Sequence, residues 1–234
     1  MWKKHPKALP FLFFSEMWER FGYYLMIGIF TLYLKDVKAG YAMTEAESAD
    51  LYGTFIALVF LTPFIGGLLA DRYLGYRKSI IMGGLMMGIG YCLMSVHNIA
   101  MLYLSMTLVI VGNGFFKPNI STLLGNVYTT PQYIKQKDDG YNIFYMGINI
   151  GAFVCNFFGA ALYIVYGWGA AFIAAGVGMF IGVAIFLIGT KHYIAFDVKK
   201  GVTEKDMSMT RIVLTIFVPS VIAGILGWMI PGTL

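Results

Sequence analysis

Residues 9–34 read LPFLFFSEMWERFGYYLMIGIFTLYL, an apolar run that is interrupted by two acids and one base. A helix that crosses a bilayer needs about 20 mainly apolar residues, so this stretch is long enough to span a membrane. Comparable apolar runs occupy residues 50–70, 79–96, 100–124, 141–163 and 168–190, and another, interrupted by Pro219, occupies residues 210–230. The sequence therefore predicts an all-α integral membrane protein with six transmembrane helices and one additional helix after them.

The overall composition supports a membrane protein and excludes several other classes. The 234 residues are 59% hydrophobic and 12% charged, whereas soluble domains carry about 25% charged residues. The net charge is +5, but the basic residues form short clusters between apolar runs, which argues against nucleic-acid binding. Neither Cys92 nor Cys155 has a metal-ligand spacing to a histidine. We therefore predict no metal, no cofactor and no enzymatic activity.

The distribution of basic residues predicts the orientation of the chain. Thirteen lysines and arginines lie before the first run, between the second and third, between the fourth and fifth, and after the sixth. The loops on the other side carry only Lys35 and Lys38. Cytoplasmic loops are enriched in these residues, so we expect a multi-pass protein of the inner or plasma membrane with a cytoplasmic N-terminus. Residues 1–190 would form a six-helix bundle, 191–209 a cytoplasmic linker and 210–234 the additional helix.

Four charged residues lie well inside the predicted spans, away from their ends, namely Glu16, Glu19, Arg20 and Lys117. A charge at the bilayer centre costs about 3 kcal/mol or more, so such residues are expected to pair inside the bundle and to be functional. At about 100° per residue, the three on the first helix share an arc with Tyr23 and Tyr24 that faces the bundle interior. A static ion-pair cluster is the alternative, but a structural pair requires one acid, and the second is available to exchange a proton.

Polar residues also line the fourth and fifth predicted helices. Asn113 and Lys117 lie one turn apart, and Pro118 removes a backbone donor, which indicates either a hinge or a tolerated kink. On the fifth helix, the polar side chains fall within an arc of about 60° at this helical spacing. They are Asn142, Tyr145, Asn149 and Asn156. This seam predicts either a water-lined cavity or a ladder of hydrogen bonds between helices, and for Asn149 we favour the cavity.

Four segments resemble the motifs of the proton-dependent oligopeptide transporter family, within the major facilitator superfamily. They are EMWERFGYY at residues 16–24, GLLADRYLGYRK at 67–78, GNGFFKPNIS at 112–121 and FYMGINIG at 144–151. The first resembles the ExxERFxYY signature of the first helix, and the second resembles the cytoplasmic loop motif of the superfamily. The third resembles the family's fourth-helix segment, and the last resembles its FYxxINxG motif on the fifth helix.

The resemblance implies the N-terminal six-helix bundle of a major facilitator fold, followed by a linker-type membrane helix. It implies proton-coupled symport of di- and tripeptides by alternating access, with the proton as coupling ion and a C-terminal bundle that this chain lacks. By itself the chain is expected to be inactive. The implied proton-coupling residues are Glu16, Glu19, Arg20 and Lys117. The candidate substrate-binding residues are Arg20, Tyr23, Tyr24, Asn113, Lys117, Tyr145 and Asn149. The implied cytoplasmic gate comprises Gly67, Asp71, Arg72, Gly75, Arg77 and Lys78.

Two positions depart from the family pattern and keep other functions open. Ile27 stands where many members carry a second arginine, and Phe60 stands where many peptide transporters carry a tyrosine. A transporter of the same family for another small anionic solute, such as nitrate, is therefore an alternative. A non-transporting membrane assembly subunit is a third hypothesis, although packing alone does not require the buried charges.

Overall fold

The computed structural model describes residues 2–199, 207–212 and 214, and the regular structure in these residues is helical throughout. The long helices are α1 (Ala8–Lys35), α2 (Glu45–Leu69), α3 (Tyr76–Leu93), α4 (Ile99–Val127), α5 (Lys137–Tyr166) and α6 (Trp168–Gly189). One compact unit comprises Met1–Lys199 and a second comprises Lys200–Leu234. Of the second unit, the short helix α7 (Met209–Ile212) is described, and most of the predicted run at 210–230 lies outside the described residues.

Within the described residues, four helical stretches are long and apolar enough to cross a membrane. They are Glu45–Leu74, Ile99–Val127, Ile134–Tyr166 and Trp168–His192. Helix α1 has 28 residues, a length of about 42 Å, but it contains the three charged residues noted above. Helix α3 has 18 residues. The all-helical membrane architecture is thus confirmed, while six spans followed by one additional span stays a prediction.

Local capping signals set the ends of several helices. Helix α2 begins five residues before the predicted position because Thr44 and Glu47 form a capping box, with the Glu47 amide donating to the Thr44 hydroxyl at 3.2 Å. Helix α4 begins after Asn98, whose Oδ1 accepts the Ala100 amide at 2.9 Å. Gly167 alone separates α5 from α6, and its φ of +81° is a conformation that glycine adopts without strain.

Small residues bring α4 close to both α2 and α3. Gly66 of α2 lies against the backbone of Gly114, and a Cβ at Gly83 of α3 would lie 2.5 Å from the Gly112 carbonyl oxygen. Such close backbone approach is typical of glycine at helix crossings in membranes. Helices α2 and α3 therefore pack on nearly opposite faces of the same turn of α4.

Helix α1 packs between α5 and α6, and this arrangement encloses its charged residues. A Cβ at Gly151 of α5 would lie 3.2 Å from the Cβ of Arg20. On the α6 side, the Ser15 hydroxyl donates to the Gly182 carbonyl at 2.9 Å. The middle of α1 is consequently covered on two sides by neighbouring helices.

Candidate functional site

A cluster of three charged side chains, here called the α1 charge cluster, consists of Glu16, Glu19 and Arg20. Their exposed fractions are 2%, 0% and 4%. The Arg20 guanidinium donates from Nη2 to Glu19 Oε1 at 2.8 Å and from Nε to Glu19 Oε2. The same Nε lies 3.2 Å from Glu16 Oε1. One guanidinium is therefore shared between two buried carboxylates.

Helix geometry produces this sharing. Glu16 and Arg20 are separated by four residues, so their side chains lie on the same face of α1, one turn apart. Glu19 precedes Arg20 directly and binds the guanidinium through Nε and Nη2, so both carboxylates approach Nε. Because two parallel N–H groups of arginine match the two oxygens of a carboxylate, Glu19 holds the stronger of the two pairings.

The cluster leaves one acceptor without a donor. Glu16 Oε2 is buried and makes no hydrogen bond with any described residue. An unsatisfied group of this kind costs about 1–3 kcal/mol, and more when it carries charge. The second acid is thus held by one oxygen only, which leaves the other oxygen available for a proton or for a new donor.

Lys117 of α4 is a further charge beside the cluster. It is partly buried, and its Nζ lies 5.3 Å from the centroid of the Phe60 ring of α2. It acts electrostatically on both carboxylates of the cluster, but among the described residues no carboxylate lies within 4.0 Å of it. The ammonium group is therefore near the cluster, stacked on an aromatic ring and without an ion-pair partner there.

The two tyrosines of the first motif occupy different environments. Tyr23 is 7% exposed, and the Arg20 guanidinium carbon lies 5.2 Å from its ring centroid. Tyr24 is 37% exposed and lines a crevice of about 210 Å³ between α1 and α5, together with Asn156. The predicted arc on α1 therefore has a covered side, which includes Tyr23, and an open side, which includes Tyr24.

Asn113 lies in the interface between α2 and α4 rather than on an open surface. It is 1% exposed, and its Nδ2 donates to the Val59 carbonyl at 3.0 Å, while Oδ1 has no partner in the part of the chain that the structure describes. Beyond Pro118, Asn119 donates to the Phe115 carbonyl at 2.7 Å. Side-chain amides thus supply hydrogen bonds to the backbone of both helices near the proline.

The polar seam of α5 faces away from the rest of the unit. Asn142, Tyr145, Asn149 and Asn156 are all exposed. Among the described residues the seam makes no hydrogen bond to another helix, and the Asn156 amide donates to Ala152 of its own helix at 3.3 Å. The opposite face, with Gly147 and Gly151, packs on α1. Of the two predicted arrangements, the described residues show no ladder, and the seam is an open polar surface.

The motif between α2 and α3 forms a compact turn. One π-helical turn (Ala70–Leu74) extends α2, and Gly75 then adopts a φ of +83°. The Tyr76 hydroxyl donates to Asp71 Oδ1 at 2.7 Å. We expected Asp71 to act together with Arg77 and Lys78, and the hydrogen bond from Tyr76 was missed. Of the other predicted gate residues, Gly67 and Arg72 are partly buried and Lys78 is exposed.

Asp197 was also missed, although it holds this turn in place. Its Oδ1 accepts the backbone amides of Tyr76 at 2.7 Å and Arg77 at 3.2 Å, and therefore caps the start of α3. The segment that carries it is anchored by Tyr193, whose side chain is fully buried and whose hydroxyl donates to the Phe186 carbonyl. A cap supplied from about 120 residues away leaves no local signal in the sequence.

Comparison with known proteins gives a consistent result. The profile of the POT family matches residues 77–225. A relative described as dipeptide and tripeptide permease A, from Citrobacter koseri, is 41% identical over 186 residues, which is 79% of this chain and 36% of the relative. The chain therefore spans less than half the length of that permease.

Solved structures show the same partial coverage. The crystal structure of peptide transporter POT in complex with sulfate has a TM-score of 0.81 and 32% identity, over 97% of this chain and 46% of that one. A POT family transporter in complex with 5-aminolevulinic acid has a TM-score of 0.83 and 27% identity, over 97% of this chain and 47% of that one.

Proposed function

The chain belongs to the POT family, and from this premise we propose that it forms the N-terminal bundle of a proton-coupled symporter for di- and tripeptides. A C-terminal bundle would complete the protein, which is here called the assembled transporter. Peptide would bind between the two bundles, and their rocking would expose the site to each side of the membrane in turn. The chain alone is expected not to transport.

The α1 charge cluster is the observation that carries this proposal. When Glu19 or Glu16 takes up a proton, the carboxyl loses its charge and its attraction for Arg20 falls. The guanidinium is then free to bind the carboxylate of a peptide. A membrane potential of 100 mV supplies about 2.3 kcal/mol per proton, and one pH unit supplies about 1.4 kcal/mol. These energies are comparable to the cost of breaking one charged hydrogen bond.

Lys117 supports the proposal as a second cation for the peptide carboxylate. Its ammonium has no ion pair among the described residues and rests on the exposed ring of Phe60. A bound carboxylate would give it the missing partner. Tyr24, Tyr145 and Asn149 lie on exposed faces of α1 and α5 and would contact the remainder of the peptide. Asn113 and Tyr23 are buried, so we assign them support of the site through Lys117 and Arg20.

The α2–α3 turn is proposed as the cytoplasmic gate. The hydrogen bond from Tyr76 to Asp71 joins α3 to the turn that extends α2, and the bond from the Tyr76 amide to Asp197 joins α3 to the segment that follows α6. Rocking of a bundle requires such connections at its ends. We also propose that the protein lies in the inner or plasma membrane with its N-terminus in the cytoplasm. Residues 1–190 would form the bundle, 191–209 the linker and 210–234 the additional membrane helix.

The test is uptake of a labelled dipeptide into liposomes with an inward proton gradient. The chain is reconstituted alone and together with a matching C-terminal bundle. Uptake that requires both parts, and that ceases when a protonophore removes the gradient, is expected. Equal uptake without a gradient, or no uptake by the folded, assembled protein, would overturn the proposed function.

Two residues favour a second candidate, a transporter of another small anionic solute such as nitrate. Phe60 is 68% exposed and offers no hydroxyl to a peptide, and Ile27 places an aliphatic side chain on the arc of α1. The structural relative with 5-aminolevulinic acid has a ligand other than a peptide. Competition decides between the candidates: di- and tripeptides displace the labelled substrate of a peptide carrier and leave uptake by an anion carrier unchanged.

A further inference from the structure

Tyr91 of α3 carries a buried hydroxyl that the proposed mechanism has not used. Its side chain is 0% exposed, and the hydroxyl has no hydrogen-bond partner among the described residues. Leaving a hydroxyl unsatisfied in the interior costs about 1–3 kcal/mol. Buried polar groups in folded proteins are nearly always paired, so an exception indicates a possible function.

The position of Tyr91 connects it to the α1 charge cluster. A Cβ at Gly22 of α1 would lie 3.3 Å from Cε2 of Tyr91, so the ring lies directly against α1 at this glycine. Gly22 follows Glu19 by three residues, which places both on one side of the helix. The absence of a side chain at Gly22 thus lets an aromatic ring from α3 reach the level of the buried carboxylate.

The titratable groups that interact with the hydroxyl belong to α1. The hydroxyl interacts electrostatically with Glu19, Arg20 and Tyr23, and Glu16 and Lys117 complete the charged groups around the cluster. Helix α6 contributes backbone here, since the Ala175 carbonyl oxygen would lie 2.8 Å from a Cβ at Gly22. A carbonyl oxygen accepts hydrogen bonds and gives none, so it cannot serve Glu19.

We propose that Tyr91 is a positioning residue for Glu19: the Tyr91 hydroxyl donates the replacement hydrogen bond to the Glu19 carboxyl when a proton on Glu19 releases Arg20. The inference rests on the function proposed above. In the described conformation Arg20 contacts both oxygens of Glu19, and the Tyr91 hydroxyl has no hydrogen-bond partner among the described residues. Once Arg20 departs, the fully buried carboxyl would lose the donor that it has among the described residues. The Tyr91 hydroxyl would replace this donor in either protonation state of Glu19, because a hydroxyl both donates and accepts.

Infrared spectroscopy of the chain in lipid tests this inference without any transport measurement. At low pH the protonated Glu19 gives a carbonyl band, which is identified by its absence in Glu19→Gln. In Tyr91→Phe we expect this band at higher wavenumber, since the carbonyl loses a hydrogen bond. The matched control is Tyr41→Phe, which removes another buried hydroxyl, in the aromatic cluster near Tyr33, and should leave the band in place. An unmoved band in Tyr91→Phe overturns the inference.

A second measurement covers the case in which Tyr91→Phe does not fold. In the native chain with isotope-labelled tyrosine, acidification should shift one phenol band, and the shift should vanish in Glu19→Gln. A shift that persists in Glu19→Gln contradicts the inference. Both infrared measurements use this chain alone, so their outcome does not depend on whether the assembled transporter takes up peptide.

A double-mutant cycle in the assembled transporter then tests the link to coupling. If Tyr91 acts through Glu19, Tyr91→Phe lowers proton-driven uptake in the native background and has no further effect in the Glu19→Gln background. If Tyr91 has only a packing role, the double variant loses uptake by the product of the two single-variant factors. Such independent losses would overturn the positioning role of Tyr91.

Discussion

Two regions of the bundle hold carboxylates by hydrogen bonds, but with different kinds of donor: Asp71 and Asp197 are partly buried, whereas Glu16 and Glu19 are fully buried. In the α2–α3 turn, Asp197 accepts two backbone amides, and Asp71 accepts the Tyr76 hydroxyl. In the α1 charge cluster, two carboxylates share one guanidinium, and Glu16 Oε2 has no donor among the described residues. Backbone donors at a helix start cannot leave their acceptor without unfolding the turn, whereas a side-chain guanidinium can change partners.

The comparison indicates which buried charges fix the fold and which ones are free to change. A carboxylate that caps a helix stabilises one conformation. A pair of acids beside one base stabilises at least two arrangements, because either acid can be neutralised by a proton. This distinction, rather than burial alone, is the reason for assigning proton coupling to α1 and a structural role to Asp197.

The largest effect is expected from Glu19→Gln, which removes the charge that holds Arg20. Proton-driven uptake by the assembled transporter should fall at least about tenfold, equivalent to about 1.4 kcal/mol, while exchange of peptide without a gradient continues. The measurement is uptake and counterflow in the same liposomes. Glu45→Gln is the matched control, because Glu45 forms a surface ion pair with Lys35 and its side chain is 86% exposed. A similar loss of uptake in Glu19→Gln and Glu45→Gln would contradict a specific role of Glu19 in proton coupling.

The next effect is expected from Lys117→Gln, which deletes the ammonium near the cluster. A hydrogen bond to a charged group contributes about 1.5–3 kcal/mol, so the KM for a dipeptide should rise by at least about tenfold. The KM is measured from saturation curves for a dipeptide and for the same dipeptide amidated at its C-terminus. The amidated peptide has no carboxylate to pair with Lys117, so its KM should not change. Lys38→Gln in the exposed α1–α2 loop is the control. An unchanged KM would exclude Lys117 as the carboxylate partner.

Asp197→Ala should affect stability rather than coupling. Loss of a helix cap costs about 1 kcal/mol, so the variant should unfold at a lower temperature while the proton dependence of uptake stays native. Thermal unfolding in detergent and the pH profile of uptake are the two measurements, and Asp197→Asn, which keeps an acceptor oxygen, should recover most of the stability. If Asp197→Ala changed the pH profile of uptake and left stability native, Asp197 would act in proton coupling and not as a structural cap.

The smallest effect is expected from Phe60→Tyr, which adds one hydroxyl beside Lys117. A new hydrogen bond contributes about 0.5–1.5 kcal/mol, so the affinity for peptides should improve only a few-fold. Inhibition constants of a dipeptide series measure the change. Weaker peptide inhibition together with stronger inhibition by small inorganic anions would favour the second candidate function.

The positions of the long helices could be predicted from the sequence because each helix coincides with a run of apolar residues long enough to cross a membrane. The six long helices follow the predicted runs, and Thr44 and Glu47 explain the earlier start of α2. The arc of α1 correctly indicated burial of Glu16, Glu19 and Arg20. It did not distinguish the buried Tyr23 from the exposed Tyr24, since a helical projection gives direction but not the depth of the groove between α1 and α5.

Contacts between distant segments account for the residues that were missed. Asp197 binds the start of α3 from a segment about 120 residues away, and Tyr91 contacts α1 at Gly22. The residues next to Asp197 and Tyr91 in the sequence do not indicate these partners. The glycines did carry a signal for close packing, but only the structure shows that Gly22 admits the ring of Tyr91. Long-range pairing of this kind requires the fold itself.

The central claim is that the α1 charge cluster couples proton movement to peptide movement. Its most direct test follows the internal pH of liposomes that contain the assembled transporter, with a pH-sensitive dye inside and no initial gradient. We predict that external dipeptide acidifies the interior, and that Glu16→Gln combined with Glu19→Gln abolishes the acidification while labelled dipeptide still exchanges. Acidification that persists in the double variant would contradict the account.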